Sequence, residues 1–119
     1  MITLAHLSDV HHGPLPPVRV MDLLNKRITG YANWKLKRQR TLDGDGLIKL
    51  VHHMHEQSPD FIAVTGDLMN LALDAEINSA YNWLQTVGHP DRVCLSPGNH
   101  DAYIPGQLEK ALERWDGYV

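Results

Sequence analysis

Apolar residues along this chain fall into two alternating rhythms. Three short runs are almost continuously apolar, and each breaks off at a cluster of polar residues: ITLAHLSD (2–9), DFIAVTGD (60–67) and DRVCLSPGNHD (91–101). Runs of that length, bounded by turn residues, predict buried strands. Between and after them, apolar positions recur at helical spacing. VRVMDLLNKRI predicts a helix over 18–28 with Val18, Met21, Leu24 and Ile28 on one face. LIKLVHHMHEQSP predicts another, with Leu47, Leu50, Val51 and Met54 inward, that stops before Pro59. A third helix over 74–87 draws on Ala75, Asn78, Tyr81, Asn82 and Leu84, and GQLEKALERW (106–115) reads as a fourth. Gly13, Pro14, Pro16 and Pro17 force a loop, while YANWKLKRQRTLDGDG, following Gly30, reads as irregular and basic. The order β-α-β-α-β-α predicts an α/β fold with a parallel sheet and right-handed crossovers. Ligands of such sheets gather outside the carboxyl ends of the strands, so the three polar ends should converge.

Composition narrows the class without choosing a function. The 119 residues suffice for one ordinary domain, and 43% hydrophobic with 21% charged residues excludes a disordered or fibrous chain. The formal net charge of -3 makes no global case for nucleic acid or membrane. A single cysteine, Cys94, excludes an internal disulfide and a zinc site built on several thiolates. Its place within an apolar strand predicts a core position rather than a nucleophile. The N-terminus has no basic n-region and meets Asp9 after a short apolar run, and no stretch approaches the roughly 20 apolar residues of a membrane span. The expectation is a soluble, cytoplasmic protein.

The chemistry lies at the strand ends. In SDVHHG, Asp9 and His11 are two apart, so an extended chain projects both to one side, where an oxygen and a nitrogen could grip one metal ion. In VTGDLMN, Gly66 allows close backbone approach, and the Asp67 carboxylate has two oxygens with which to bridge two cations. In SPGNHDAY, Pro97 and Gly98 turn the chain so that Asn99, His100 and Asp101 fan out. Asn99 offers a neutral carbonyl oxygen to a metal already surrounded by carboxylates. His100 would face the substrate, where a protonated imidazole could stabilise developing negative charge or assist a leaving group, and Asp101 could accept a hydrogen bond from it and fix its orientation. Each signal alone also reads as a polar strand cap or turn. Three on consecutive strands make coincidence a poor account.

SDVHHG, TGDLMN and PGNHD together resemble the calcineurin-like metallophosphoesterases, and the matching positions run from Asp9 to Asp101. The resemblance implies metal-dependent hydrolysis of a phosphate ester, taken here as a phosphodiester, by a metal-activated hydroxide with a histidine assisting the leaving group. It further implies two divalent metal ions (manganese, iron or zinc). Asp9, His11 and Asp67 would hold one, with Asp67 bridging to a second bound also by Asn99. His100 would be the catalytic imidazole and Asp101 its partner. The family's fold is a two-sheet sandwich flanked by helices. Residues 1–119 would supply its N-terminal half, since the family's later histidine ligand and G-H-x-H block have no counterpart after His100. The alternative expectation is an inactive, truncated half-domain that binds metal weakly or forms a homodimer through an exposed sheet surface. A metal-free nucleotide-binding half ranks last, because no glycine-rich phosphate loop is present.

The remaining histidines compete poorly for the site. His12 would point away from His11, leaving it at most a supporting or substrate role. His52 and His55 lie one helical turn apart but read as ordinary positions on a solvated helix. His6 reads as a core residue and His89 as a loop residue. Between Asp22 and Asp43 there is no acidic residue, yet six of the eleven Lys and Arg fall there, with Tyr31 and Trp34 interleaved. This stretch, about 26–40, reads as an insertion. Lys35, Lys37 and Arg38 are candidate substrate-binding residues for a phosphate-ester small molecule, a nucleotide or an anionic lipid headgroup; nucleic acid has no support beyond the basic charge. The competing reading is a solvated basic helical face with Trp34 packed inward.

Overall fold

The structure is a computed structural model that describes residues 1–38 and 44–119, with the side chains of Lys37 and Arg38 outside the description. Three strands, β1 (Leu4–Ser8), β2 (Phe61–Gly66) and β3 (Val93–Pro97), form one parallel sheet in the order β1-β2-β3. Both crossovers run in the same spatial direction, so right-handed connections must put their helices on one face of the sheet. The burial pattern agrees. Leu7, Val64 and Leu95 form one cross-strand row, and Ile62 pairs with Val93 in another, all of them buried. The alternate rows, Leu4 with Phe61, His6 with Ala63 and Cys94, and Ser8 with Thr65 and Ser96, face the other way and are largely exposed.

That open face corrects two expectations. His6 is exposed, with its Nε2 2.8 Å from Thr65 Oγ1, and is no core residue. Cys94 is exposed as well. Both lie in strands that are apolar by composition, yet only every second residue of a strand meets the helical layer.

The helical layer comprises α1 (Arg27–Asn33), α2 (Gly44–Glu56), α3 (Asp74–Val87) and α4 (Gln107–Arg114). In α2, Val51 and Met54 reach the core, but Leu50 is exposed. The range of α3 matches the sequence expectation, whereas its inward face does not. Glu76, Ile77, Ala80, Trp83, Leu84 and Val87 are buried, while Ala75, Asn78 and Asn82 are exposed. Trp115, fully buried just after α4, donates from its indole Nε1 to Ile77 O at 3.0 Å and locks α4 to α3. Burial of a side chain of that size is worth about 3 kcal/mol. The chain then returns to β3, where Leu95 N–H donates to Tyr118 O.

The helix expected over 18–28 is instead a 3-10 turn (Val20–Leu23) followed by α1, and Met21, Leu24 and Ile28 are exposed. Arg27 is the residue that turns inward. The stretch expected to be irregular continues as helix through Asn33 and then as a π-helical turn (Trp34–Arg38), with Trp34 half-buried. Residues 39–43, including Arg40, lie outside the described residues.

Candidate metal centre

The site begins where β1 and β2 end. Beyond β1 the backbone keeps following β2: Asp9 N–H donates to Thr65 O, His11 N–H to Asp67 O and His12 N–H to Leu68 O. The chain is not extended there. Asp9 and His11 adopt left-handed conformations, with φ of 49° and 43°. Asp tolerates this region better than most residues, and His does so more than a bulky apolar residue would. These two kinks, rather than strand alternation, bring the two side chains together. Ligand atoms of Asp9, His11 and Asp67 all lie within 4.8 Å of one another, and His11 Nε2 is 3.7 Å from Asp67 Oδ2.

Two glycines make room for this cluster. A Cβ on Gly66, itself at φ +78°, would stand 2.3 Å from Asp9 Oδ1, and a Cβ on Gly98 would stand 2.2 Å from Asp67 Oδ1. Either substitution would push a carboxylate out of the cluster. Two carboxylates and one imidazole fit a divalent ion of borderline softness, and their spacing suits ligand bonds of roughly 2.0–2.2 Å after small rotations. Asp9, His11 and Asp67 can therefore hold one metal. Asn99 is exposed on the neighbouring turn, between Gly98, which packs against Asp67, and His100, whose N–H donates to Asp67 Oδ1 at 2.8 Å.

The His100 ring stands edge-on to that of His11 at 5.3 Å and stacks on Tyr103 at 5.8 Å. Its Nδ1 lies 2.9 Å from Asn70 O. A carbonyl can only accept, so Nδ1 carries the proton and Nε2 is left for a substrate. Asp101 does not meet this imidazole, contrary to the sequence expectation. Its carboxylate is fully buried and accepts from the backbone N–H groups of Met69 (2.8 Å), Gly98 (2.9 Å) and Leu68 (3.1 Å). Burial pushes the Asp101 carboxyl above its usual range, against the pull of those N–H groups, and the nearby Asp67 charge adds to the rise.

Glu76 performs the matching task one step further on. It accepts from Asn70 N–H at 2.8 Å and from Leu71 and Leu73 N–H, each at 3.0 Å. The loop 67–73 is buried throughout, and two buried carboxylates supply the acceptors that its N–H groups would otherwise find in water. Asn70, Glu76 and Tyr103 carried no functional role in the sequence reading. Glu76 at the third position of α3 has the placement of half a capping box, which is the one local signal it gave.

The other histidines stay outside the cluster. His12 stacks on Trp83 at 6.1 Å, and burial pushes its imidazole below the usual range. His52 and His53 pair with Glu56, His55 Nε2 meets Thr86 O, and His89 pairs with Asp91. Lys35 is exposed, while Lys37 and Arg38 have no described side chains. A cavity of about 320 Å³ lined by Arg19, Asp22, Arg27, Asp74 and Gln107 shares no residue with the metal cluster.

The model of the calcineurin-like phosphoesterase family matches residues 2–118, nearly the whole chain. The chain belongs to that family. Membership makes it a phosphoester hydrolase by family, with metal dependence, and the Asp9, His11 and Asp67 cluster could hold a metal ion of the kind that class uses. The three parallel strands with helices on one face are consistent with half of the family's domain. No curated protein matches the chain, and no solved structure does. Among the described residues, no helix is long and apolar enough to cross a membrane.

Proposed function

We propose that this metallophosphoesterase site hydrolyses a phosphodiester, with His100 protonating the departing alcohol. The reading is supported above all by the convergence of Asp9, His11 and Asp67 beside an imidazole whose Nδ1 is tied to a backbone carbonyl. Divalent ions held by Asp9, His11 and Asp67, with Asn99 joining Asp67 for a second, would polarise phosphoryl oxygens and lower the pKa of water. The chain's own groups do the rest. Asp67 divides its oxygens, Oδ1 accepting the His100 N–H and Oδ2 facing His11, so one carboxylate fixes the imidazole relative to the ligand cluster. With Nδ1 held by Asn70 O, a protonated His100 presents Nε2–H to the leaving oxygen. Asp101 is a positioning residue: it joins the 98–101 turn to the 67–69 loop and thereby sets the height of His100 over Asp67.

Turnover of an aryl phosphodiester against the corresponding monoester, with manganese titrated into the purified chain, tests the reading. Asp67→Asn should lose metal binding and turnover together. His100→Gln should keep metal affinity and lose about 100-fold in kcat, more for an alkyl than for a nitrophenyl leaving group. Full turnover in either variant would sink the proposal. The open sheet face, with Leu4 and Phe61 exposed, favours a second reading in which the chain binds metal but self-associates without turnover. Metal binding with no turnover of either ester would mark that case.

A further inference from the structure

The path from Val20 to Arg38, a 3-10 turn, three non-helical residues, α1 and a π-helical turn, shows a series of apolar side chains to solvent. Val20, Leu24, Ile28, Ala32 and Leu36 recur every fourth residue, and all five are exposed. Val20, Leu24 and Leu36 retain 80%, 78% and 82% of their surface, and Met21 beside them retains 78%. The body-facing side is formed by Leu23, Arg27, Gly30, Tyr31 and Trp34, each buried or half-buried and also at helical spacing. Single exposed aliphatics are ordinary, but a stripe of this length on one segment marks a surface that something covers.

Charge indicates what covers it. Residues 20–38 contain Lys26, Arg27, Lys35, Lys37 and Arg38 against a single acid, Asp22, and Arg40 follows. Asp22 is occupied by Arg19, whose backbone N–H and Nε both reach Asp22 Oδ2. Lys26 and Lys35 are exposed along the stripe. A second copy of the chain would set this positive segment against itself. Nucleic acid would draw on aromatic faces, yet Tyr31 and Trp34 are half-buried and stacked on each other at 6.2 Å, and outward aliphatics gain nothing from bases. Aliphatic side chains flanked by lysines match the boundary between anionic headgroups and acyl chains.

We propose that residues 20–38 dock this protein on an anionic lipid bilayer. The surface is fixed to the metal centre at two points. The Arg27 guanidinium donates to Leu71 O at 3.0 Å and Ala72 O at 2.6 Å, in the same loop whose Asn70 carbonyl holds His100. Tyr103 Oη–H donates to Lys26 O at 2.7 Å, and the Tyr103 ring lies against His100. Docking therefore sets the height of the metal cluster over the bilayer. It also names the substrate class, a phosphoester carried by a lipid at that surface, and this last step alone rests on the phosphodiesterase reading.

Vesicle co-sedimentation of the full chain tests the docking without any turnover. Phosphatidylcholine vesicles containing about one third phosphatidylglycerol should bind the chain at least about tenfold more tightly than phosphatidylcholine alone. Leu24→Ser/Ile28→Ser/Leu36→Ser replaces exposed side chains only. It should weaken binding about tenfold while leaving the melting curve and the cleavage of a water-soluble phosphodiester unchanged. Lys26→Glu/Lys35→Glu should weaken binding to a similar degree, and more so at low salt. Absence of binding to the anionic vesicles, equal binding to neutral ones, or indifference to the triple substitution overturns the inference. So does a dimer in sedimentation velocity that the triple substitution dissociates, or an oligonucleotide bound in preference to the vesicles. Cleavage of a soluble phosphodiester by a chain that ignores vesicles removes the docking and leaves the enzymatic reading standing. Vesicle binding without cleavage does the reverse.

Discussion

Asp101 shows how a residue can matter to a site without touching substrate. Its carboxylate is fully buried and holds three backbone N–H groups, those of Leu68, Met69 and Gly98. Asp101→Ala would leave all three without an acceptor, at about 1–3 kcal/mol each for a buried group. Denaturant titration should therefore register a loss on the order of 3 kcal/mol or more, and a near-native midpoint would refute the role given to Asp101. Gly98 makes the complementary case, since a Cβ there would meet Asp67 Oδ1 at 2.2 Å and the Asp67 backbone nitrogen at 2.7 Å. Gly98→Ala should lower manganese affinity by about tenfold or more in calorimetry, because the carboxylate has to move. The residue types at these positions were legible in the sequence as PGNHD and TGD. Their division of labour was not. Which acceptor a buried N–H finds, or which group orients an imidazole, depends on loops 30 or more positions apart in the chain, and spacing within one motif carries no record of that.

Among the elements, α3 and α4 form the contact most open to a pH test. Asp74, in the first turn of α3, accepts from Gln107 Nε2 at 3.0 Å and from Lys110 Nζ at 3.3 Å. The Gln107 hydrogen bond holds the Asp74 carboxyl below its usual range, with Lys110 assisting. A depressed carboxyl stabilises the fold above its unfolded pKa and loses that contribution as pH falls through the folded value. Thermal melts followed by intrinsic tryptophan fluorescence should thus show wild type ahead of Asp74→Ala near neutral pH. The two should converge from about pH 4 downward. A constant gap across that range would contradict the assignment. Asp74 is largely exposed, so the gap is small. The existence of these helices was legible from periodicity, and the range of α3 matched. The inward faces were less so. Glu76 is buried because three loop N–H groups need it, while Asn78 stays exposed at the α4 contact, its Oδ1 accepting from Arg114 Nε at 3.0 Å. An apolar count along one helix does not register the loop or helix packed against it.

At the scale of the whole molecule, the sheet has one covered and one open face. The same geometry that puts α2 and α3 on one side leaves His6, Phe61 and Cys94 on the other. Cys94 should accordingly react with a thiol reagent in the native protein at close to its rate in denaturant. Strong native protection would show that this face is closed by self-association. The layer on the covered side carries both the metal cluster at the strand ends and, beside it, the apolar and basic path through residues 20–38.

From the sequence by itself came the α/β order, the parallel sheet and the candidate ligand positions Asp9, His11 and Asp67, which the fold brings within 4.8 Å of one another. These depend on local periodicity and on residue chemistry, which are written along the chain. Tertiary structure alone decided that left-handed turns at Asp9 and His11 converge the ligands, that Asn70 rather than Asp101 orients His100, and that Leu24, Ile28 and Leu36 face solvent. The physical reason is common to all three. Each follows from which distant backbone fills the space beside a residue, and that is set by packing and hydrogen-bond satisfaction between segments rather than by the segment's own sequence.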